Sequence, residues 1–236
     1  HESDMTPGLA NKIAIPSATR ICCNFPETLD SLPKEKSVLT GSPIRQELLS
    51  GNKIAAMDLC GFSADKPVVL VIGGSLGSVA VNNAVRLALP ELLECFQIVH
   101  LCGRDKVDDT LTSMKGYKQF EYIKNELRDI FALADIVISR AGANAICELL
   151  ALRKPNLLIP LSAHASRGDQ ILNARSFERQ GFSMVLEEED LTKEALLESV
   201  QSLYDNRASY MDAMRDSRQQ DSIDTITGLI EEIRSK

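Results

Sequence analysis

Short apolar runs rich in β-branched residues alternate along the chain with longer stretches whose apolar positions recur at helical spacing. The runs predict strands over 37–40, 68–72, 97–101, 120–123, 135–139, 156–160 and 183–186. Between them the spacing predicts helices over 79–95, 107–115, 126–134, 143–152, 169–180 and 193–204. Strand and helix in strict alternation argue for an α/β fold, a mostly parallel sheet with helices on both faces. The strand runs are near-continuous Val, Ile and Leu rather than alternating, as expected for strands buried on both sides.

Two regions fall outside this rhythm. The first 36 residues are broken by Pro7, Pro16, Pro26 and Pro33, and a boundary is expected near 36–41. From Asp205 the chain is strongly charged, with Ile223, Ile226, Leu229, Ile230 and Ile233 at helical spacing. That pattern predicts an amphipathic tail helix seeking a surface in 1–36 or on a second copy. The expected organisation is 1–36 as a remnant and linker, 37–204 as the main domain and 205–236 as a helical tail.

Composition narrows the function. The 236 residues carry 26 Lys and Arg against 33 Asp and Glu, a formal charge of −7, and no Trp. An acidic chain without a basic run argues against a general nucleic-acid binder. Six cysteines lack C-x-x-C spacing, which speaks for reduced thiols in a cytosolic setting and against a zinc site. The longest apolar run, 67–72, is far too short to span a bilayer. The chain opens on His1 rather than Met, so a fragment or processed product is expected.

Three turns could carry chemistry. In 68–78 a buried strand runs through Gly73, Gly74 and Ser75 into a helix. It is either a phosphate cradle or a plain tight turn, and it matches neither the P-loop nor G-x-G-x-x-G. A second strand leads through Ala141, Gly142, Ala143 and Asn144 into a helix that carries Glu148. Glu148 could accept two hydrogen bonds from a ribose diol, or simply decorate the helix. The third turn, 160–174, places Asp169, Gln170 and Asn173 at a helix start, suited to sugar hydroxyls or to ordinary capping. His164 in that loop is either a solvated residue or a base. All three turns follow strands, and in an open α/β sheet those strand ends form the ligand crevice. A nucleotide-type ligand held at its phosphates by backbone amides is the reading that follows.

The motifs Gly73-Gly74-Ser75, Ser139-Arg140-Ala141-Gly142-Ala143, Glu148, Lys154-Pro155 and Gln170-Ile171-Leu172-Asn173-Ala174 occur here in the order seen in the MurG family. Gly41-Ser42-Pro43-Ile44-Arg45 resembles that family's Gly-x-Pro-x-Arg segment, and His1-Glu2-Ser3-Asp4 with Pro7-Gly8-Leu9-Ala10-Asn11 resembles its interdomain stretch. The resemblance implies the Rossmann-like C-terminal half of a GT-B glycosyltransferase of family 28. It implies UDP-GlcNAc as donor and inverting transfer to a lipid-linked muramoylpentapeptide in peptidoglycan synthesis. No cofactor, metal or nucleic-acid partner is implied, and the whole protein would work at the inner face of the cell membrane. Carried over residue by residue, Arg45 and the backbone of Ile123 meet the uracil end and Glu148 takes the ribose hydroxyls. Ser75 and the turn over 142–147 hold the diphosphate and sugar, with Gly74, Ala141, Gly142, Ala143 and Asn144 among the donor-binding residues; Asp169, Gln170 and Asn173 face GlcNAc. Glu2 and Asp4 lie between the domains near the sugar.

Three positions depart from the family pattern. Leu76 replaces Gln, Asp4 replaces Asn, and Asp169 replaces His or Gln. The last two exchange a possible donor for a carboxylate that only accepts. The family's acceptor loop with its His is expected upstream of His1, and the general base with it. The alternative is a UDP-sugar module that needs a separate acceptor-binding partner. A nicotinamide-dependent oxidoreductase would need the G-x-G-x-x-G fingerprint that is missing here.

Overall fold

The computed structural model describes residues 1–74, 76–163, 168–217 and 222–235. A short helix α1 (Leu9–Ala14) precedes β1 (Ile21–Cys23), which pairs in parallel with β2 (Ser37–Leu39) in a small two-stranded sheet. Helix α2 (Lys53–Cys60) then leads into the main sheet. Its strands are β3 (Val68–Ile72), β4 (Gln97–Leu101), β5 (Tyr117–Phe120), β6 (Ile136–Ser139), β7 (Asn156–Leu158) and β8 (Met184–Val185). They lie in the order β5-β4-β3-β6-β7-β8 and every pairing is parallel. The helices are α3 (Val79–Cys95), α4 (Leu127–Leu133), α5 (Ala143–Ala151), α6 (Asp169–Arg179), α7 (Lys193–Asp205), α8 (Arg207–Arg215) and α9 (Ser222–Arg234).

The period of two along a strand divides the core. Val68 and Leu70 face one layer, with α2, α4, α5, α6 and Met214 of α8. Val69 and Val71 face the other, with α3 and α7. The central strands β3, β4, β6 and β7 are buried on both faces, as unbroken apolar runs predict, while the edge strands β5 and β8 are only half-buried.

Several expectations need correction. Residues 107–115 form no α-helix, only a short 3-10 turn at Asp109–Leu111. Asp108 accepts from the Thr110 backbone and hydroxyl, and such local bonds compete with helix. The strand expected over 120–123 sits earlier, at Tyr117–Phe120, in register with Ile98–Leu101. Residues 121–123 therefore pass beyond the sheet's end. Helices α1, α2 and α8 and strand β1 escaped the periodicity reading. The strand expected at 37–40 joins the small sheet rather than the main one, and the expected boundary falls between its two paired strands.

The small sheet has its own core of Ile21, Cys23 and Leu32, yet it is fastened to the main body. Phe25 is fully buried and meets Phe177 of α6 edge-on, with ring centroids 5.8 Å apart. Glu27 accepts from Ser176 Oγ at 2.8 Å and pairs with Arg179. At the other end of the chain, α9 touches both regions: Arg20 pairs with Glu232 at 3.2 Å, and Ser222 Oγ donates to Ser42 O at 2.8 Å. Its Ile223, Ile230 and Ile233 stay exposed, so most of the apolar stripe is not covered by residues 1–36. No helix among the described residues is long and apolar enough to cross a membrane.

Candidate functional site

Chain order runs β3-β4-β5 towards one edge of the main sheet and β6-β7-β8 towards the other. The reversal between β3 and β6 makes a switch point, where the connections leave a crevice at the strands' carboxyl ends. A cavity of about 160 Å³ lies there. Ile72 and Leu101, the last residues of β3 and β4, form its apolar floor with Phe131 and Leu149. Ile123, displaced past the sheet by the register of β5, lines one side beside Tyr122. Arg45, Glu121, Ser139 and Glu148 supply its polar groups. An apolar slot with a few polar groups suits a flat ring carrying a hydroxylated end.

Glu148 reaches this cavity from the second turn of α5. Arg45 grips it with both ends of its fork, Nε to Oε1 at 3.0 Å and Nη2 to Oε2 at 3.3 Å. The hydrogen bond to Glu148 pushes the Arg45 guanidinium above its ordinary value. Each Glu148 oxygen keeps acceptor capacity beyond the Arg45 bond.

The start of α5 opens towards the same crevice. Its N-cap is Gly142, which has no side chain to cap the helix. The first-turn N–H groups, those of Ala143, Asn144 and Ala145 among them, have no intrahelical partner and sit at the positive end of the helix dipole. Ala141 and Ala143 are buried, and Asn144 is exposed. The β3–α3 turn is built differently. Gly74 lines the cavity at φ +86°. Gly77 lies so close to β4 that a Cβ there would fall 1.9 Å from Cys102 O. Ser78 caps α3 by accepting from Val81 N at 3.3 Å. Ser75, an expected diphosphate contact, lies outside the described residues.

Arg140 joins these turns, a role the sequence did not disclose. Its Nη1 donates to Ile159 O at 3.1 Å and Pro160 O at 3.0 Å, its Nη2 donates to Ser78 Oγ at 2.6 Å, and it pairs with Glu188. One guanidinium thus locks the ends of β6 and β7 to the cap of α3. A charged residue directly after an apolar strand was the available signal.

The third turn is placed in part. His164 lies outside the described residues. Gln170 Oε1 accepts from Leu161 N at 3.1 Å, and Asp169 Oδ1 accepts from Thr6 Oγ1 at 3.3 Å. Asn173 is fully buried rather than turned to open space. Its Oδ1 accepts from Met5 N at 3.0 Å, and its Nδ2 donates to Asp4 Oδ1 at 3.0 Å and to Ala141 O at 3.4 Å. Glu2 is also buried; it accepts from Asp4 N, Gly8 N and the Asn11 amide at 3.1, 3.0 and 2.9 Å. Asp4 and Asn173 therefore build the joint between the N-terminal segment and α6, and Glu2 braces the N-terminal side of it. Among the described residues no cluster of His, Cys, Asp and Glu could hold a metal ion.

The chain is 67% identical over 232 residues to the UDP-N-acetylglucosamine–N-acetylmuramyl-(pentapeptide) pyrophosphoryl-undecaprenol N-acetylglucosamine transferase of Lachnospira eligens, covering 98% of this chain and 66% of that protein. It is 65% identical over 236 residues to the same-named protein of Lachnoclostridium phytofermentans, covering all of this chain and 66% of that one. The chain thus spans about 66% of the length of these curated relatives. Among solved structures, Acinetobacter baumannii MurG superposes with a TM-score of 0.72 at 24% identity, over 98% of this chain and 65% of that one. That likeness gives the fold, the Rossmann-like half of a GT-B glycosyltransferase. Residues 68–226, the span from β3 into α9 that carries the crevice, match the glycosyltransferase family 28 C-terminal domain, and the chain belongs to that family.

Proposed function

We propose that this chain binds UDP-GlcNAc for an inverting glycosyltransferase that delivers GlcNAc to a lipid-linked muramoylpentapeptide. The observation that carries the reading is the juxtaposition, in one switch-point crevice, of an apolar slot, Glu148 and the uncapped start of α5. The slot takes the uracil, with the backbone of Ile123 at its edge and the exposed Tyr122 ring over its rim. Glu148, oriented by Arg45, accepts from the ribose hydroxyls. The N–H groups that follow Gly142, together with the Gly74–Ser75 turn, hold the diphosphate.

In the reaction, the acceptor hydroxyl attacks the anomeric carbon while the carbon–oxygen bond to the diphosphate breaks. The electron pair leaves with UDP, and the hydroxyl proton passes to a base. The dipole of α5 and its free amides stabilise the departing charge where it develops. Asp169 and Gln170 stand on the sugar side, and Glu2, Asp4 and Asn173 act by fixing the joint behind them. The acceptor and the base belong to the part of the relatives' length that this chain does not span. The own small core of the first two strands supports assigning residues up to about Gly41 to that acceptor side. A lipid-linked acceptor would bring the whole protein to the inner face of the cell membrane as a peripheral enzyme.

Calorimetric titration with UDP, UDP-GlcNAc, UDP-glucose and NAD tests the reading. Binding of UDP and UDP-GlcNAc, with UDP-glucose weaker and NAD silent, is the expected result. Binding of NAD without UDP would overturn it.

A further inference from the structure

Beneath the glycine-rich turn lies a buried polar chain with no part in the cavity wall. His100 of β4 is fully buried. Its Nε2 lies 3.0 Å from Asn82 Oδ1, and its Nδ1 lies 2.8 Å from the Tyr117 hydroxyl. The amide oxygen can only accept, so Nε2 donates and Nδ1 accepts from Tyr117. Asn82 Nδ2 then donates to Cys102 O at 2.9 Å, the same carbonyl against which Gly77 packs.

Arg86, one turn further along α3, holds the next part of that loop. Its Nη2 donates to Lys106 O at 2.5 Å and to Gln119 Oε1 at 3.1 Å. Gln119 in turn brackets Asp108, accepting from its N–H at 3.1 Å and donating to its carbonyl at 3.0 Å. The loop so fixed bears on the glycine-rich turn at two points. Lys106 Nζ donates to Leu76 O at 2.6 Å, and a Cβ at Gly103 would fall 2.5 Å from both Gly77 N and Leu76 O. Leu76 and Gly77 directly follow Gly74 and Ser75. None of His100, Asn82 and Arg86 lines the cavity.

We propose that His100, Asn82 and Arg86 are positioning residues for the glycine-rich turn, acting through the Cys102–Lys106 loop to set the grip on the donor's diphosphate and not on its base. The proposal rests on the donor reading above. A loop held at Cys102 and Lys106 cannot shift without carrying Leu76 and Gly77, because Cys102 and Gly103 meet them backbone to backbone, and the Lys106 side chain adds a hydrogen bond to Leu76 O. The uracil slot is built from Ile72, Leu101, Ile123 and Phe131, none of which makes a hydrogen bond in this polar chain; Leu101 adjoins it in β4, between His100 and Cys102.

The test compares UDP with uridine, which has the base and ribose but no phosphate, on the 236-residue chain. UDP is titrated by calorimetry and uridine by ligand-observed NMR. Arg86→Met should weaken UDP about tenfold and leave uridine within about twofold, the scale on which supporting-shell contacts act. His100→Phe should do the same, and His100→Gln, which can still donate and accept, should recover most of the UDP affinity. Should His100→Phe fail to fold, the half-buried Arg86 position carries the test alone. A parallel loss of both ligands in Arg86→Met, or no loss of UDP, overturns the proposal. Wild-type chain that binds no UDP defeats the donor reading itself, before any variant is made.

Discussion

The crevice is flanked by two turns of similar sequence character and opposite construction. Both follow a buried strand, both carry glycine, and both open a helix. The helix side of the β3–α3 turn is filled by protein: Ser78 caps the helix, Arg140 holds Ser78, and Gly77 presses on Cys102. The β6–α5 turn has no side-chain cap, and a Cβ on Gly142 would meet nothing within 4 Å. Gly77 serves contact with protein in the first turn, while Gly142 in the second, like Gly74 at the cavity edge of the first, faces open space. Amides free at a helix start are met by water or by a ligand, and a start that opens on the crevice is placed for an anion to complete it.

The largest expected effect breaks the closed side. Gly77 combines φ +69° with a carbonyl 1.9 Å from where a Cβ would sit. Gly77→Val should cost about 3 kcal/mol or more of stability, from left-handed strain plus the clash. Urea unfolding of variant and parent checks this, and an unchanged midpoint would contradict the packing described here.

On the open side the effect should appear in binding instead. Glu148→Ala should weaken UDP by about 1–3 kcal/mol, the usual cost of losing hydrogen bonds to a charged group. It should leave the unfolding midpoint nearly in place, because the Arg45–Glu148 pair is partly solvated. Unchanged affinity by calorimetry would make Glu148 a mere partner of Arg45.

The closed side also carries a pH signature. Burial pushes His100 down to about 3, with the Arg86 charge adding to the effect. The unfolded chain binds a proton at this histidine near pH 6.5 and the folded chain does not, so His100 erodes stability as pH falls from about 6.5 towards 3. At pH 5 the loss is on the order of 2 kcal/mol relative to pH 7, at about 1.36 kcal/mol for each pH unit. His100→Gln should flatten that slope in urea titrations at the two pH values. An equally steep slope in the variant would show that other groups carry it.

Legibility in the sequence followed the range of the forces involved. Strands 68–72 and 97–101 and helix 79–95 match the structure end to end, because apolar runs and periodicity are local and strong there. Strand β1 did not stand out, since its three residues borrow their order from β2 on one side and a bridge to Glu2 on the other. The helix expected at 107–115 failed where Asp108 found a closer partner in Thr110. At the candidate site, the placement of Glu148 and Gly142 beside one crevice was legible because one short motif holds both. Asn173 was not, as a polar residue at a helix start reads as solvent- or ligand-facing. Its amide is instead occupied by Met5, 168 residues away. Arg140 and the His100 chain were hidden for the same reason: their partners come from separate strands and loops, which only the fold brings together.

The smallest expected effect sharpens the contrast most, because it sets equivalent positions of the two turns side by side. Ser78 and Gly142 are the N-caps of α3 and α5. Ser78→Ala removes a cap that is bonded on both sides and should cost about 1 kcal/mol. Gly142→Ala removes no hydrogen bond, and its φ of −66° suits alanine. Alanine is a poorer cap than glycine but restricts the unfolded chain, and the two effects oppose each other. The unfolding midpoint should therefore stay within about 0.5 kcal/mol of the parent. UDP affinity should nevertheless fall, since the new methyl group stands in the space where the diphosphate meets the amides. If Gly142→Ala unfolds as readily as Ser78→Ala, the α5 turn is a packed element like its neighbour. If it keeps both stability and affinity, the anion does not come to this helix end.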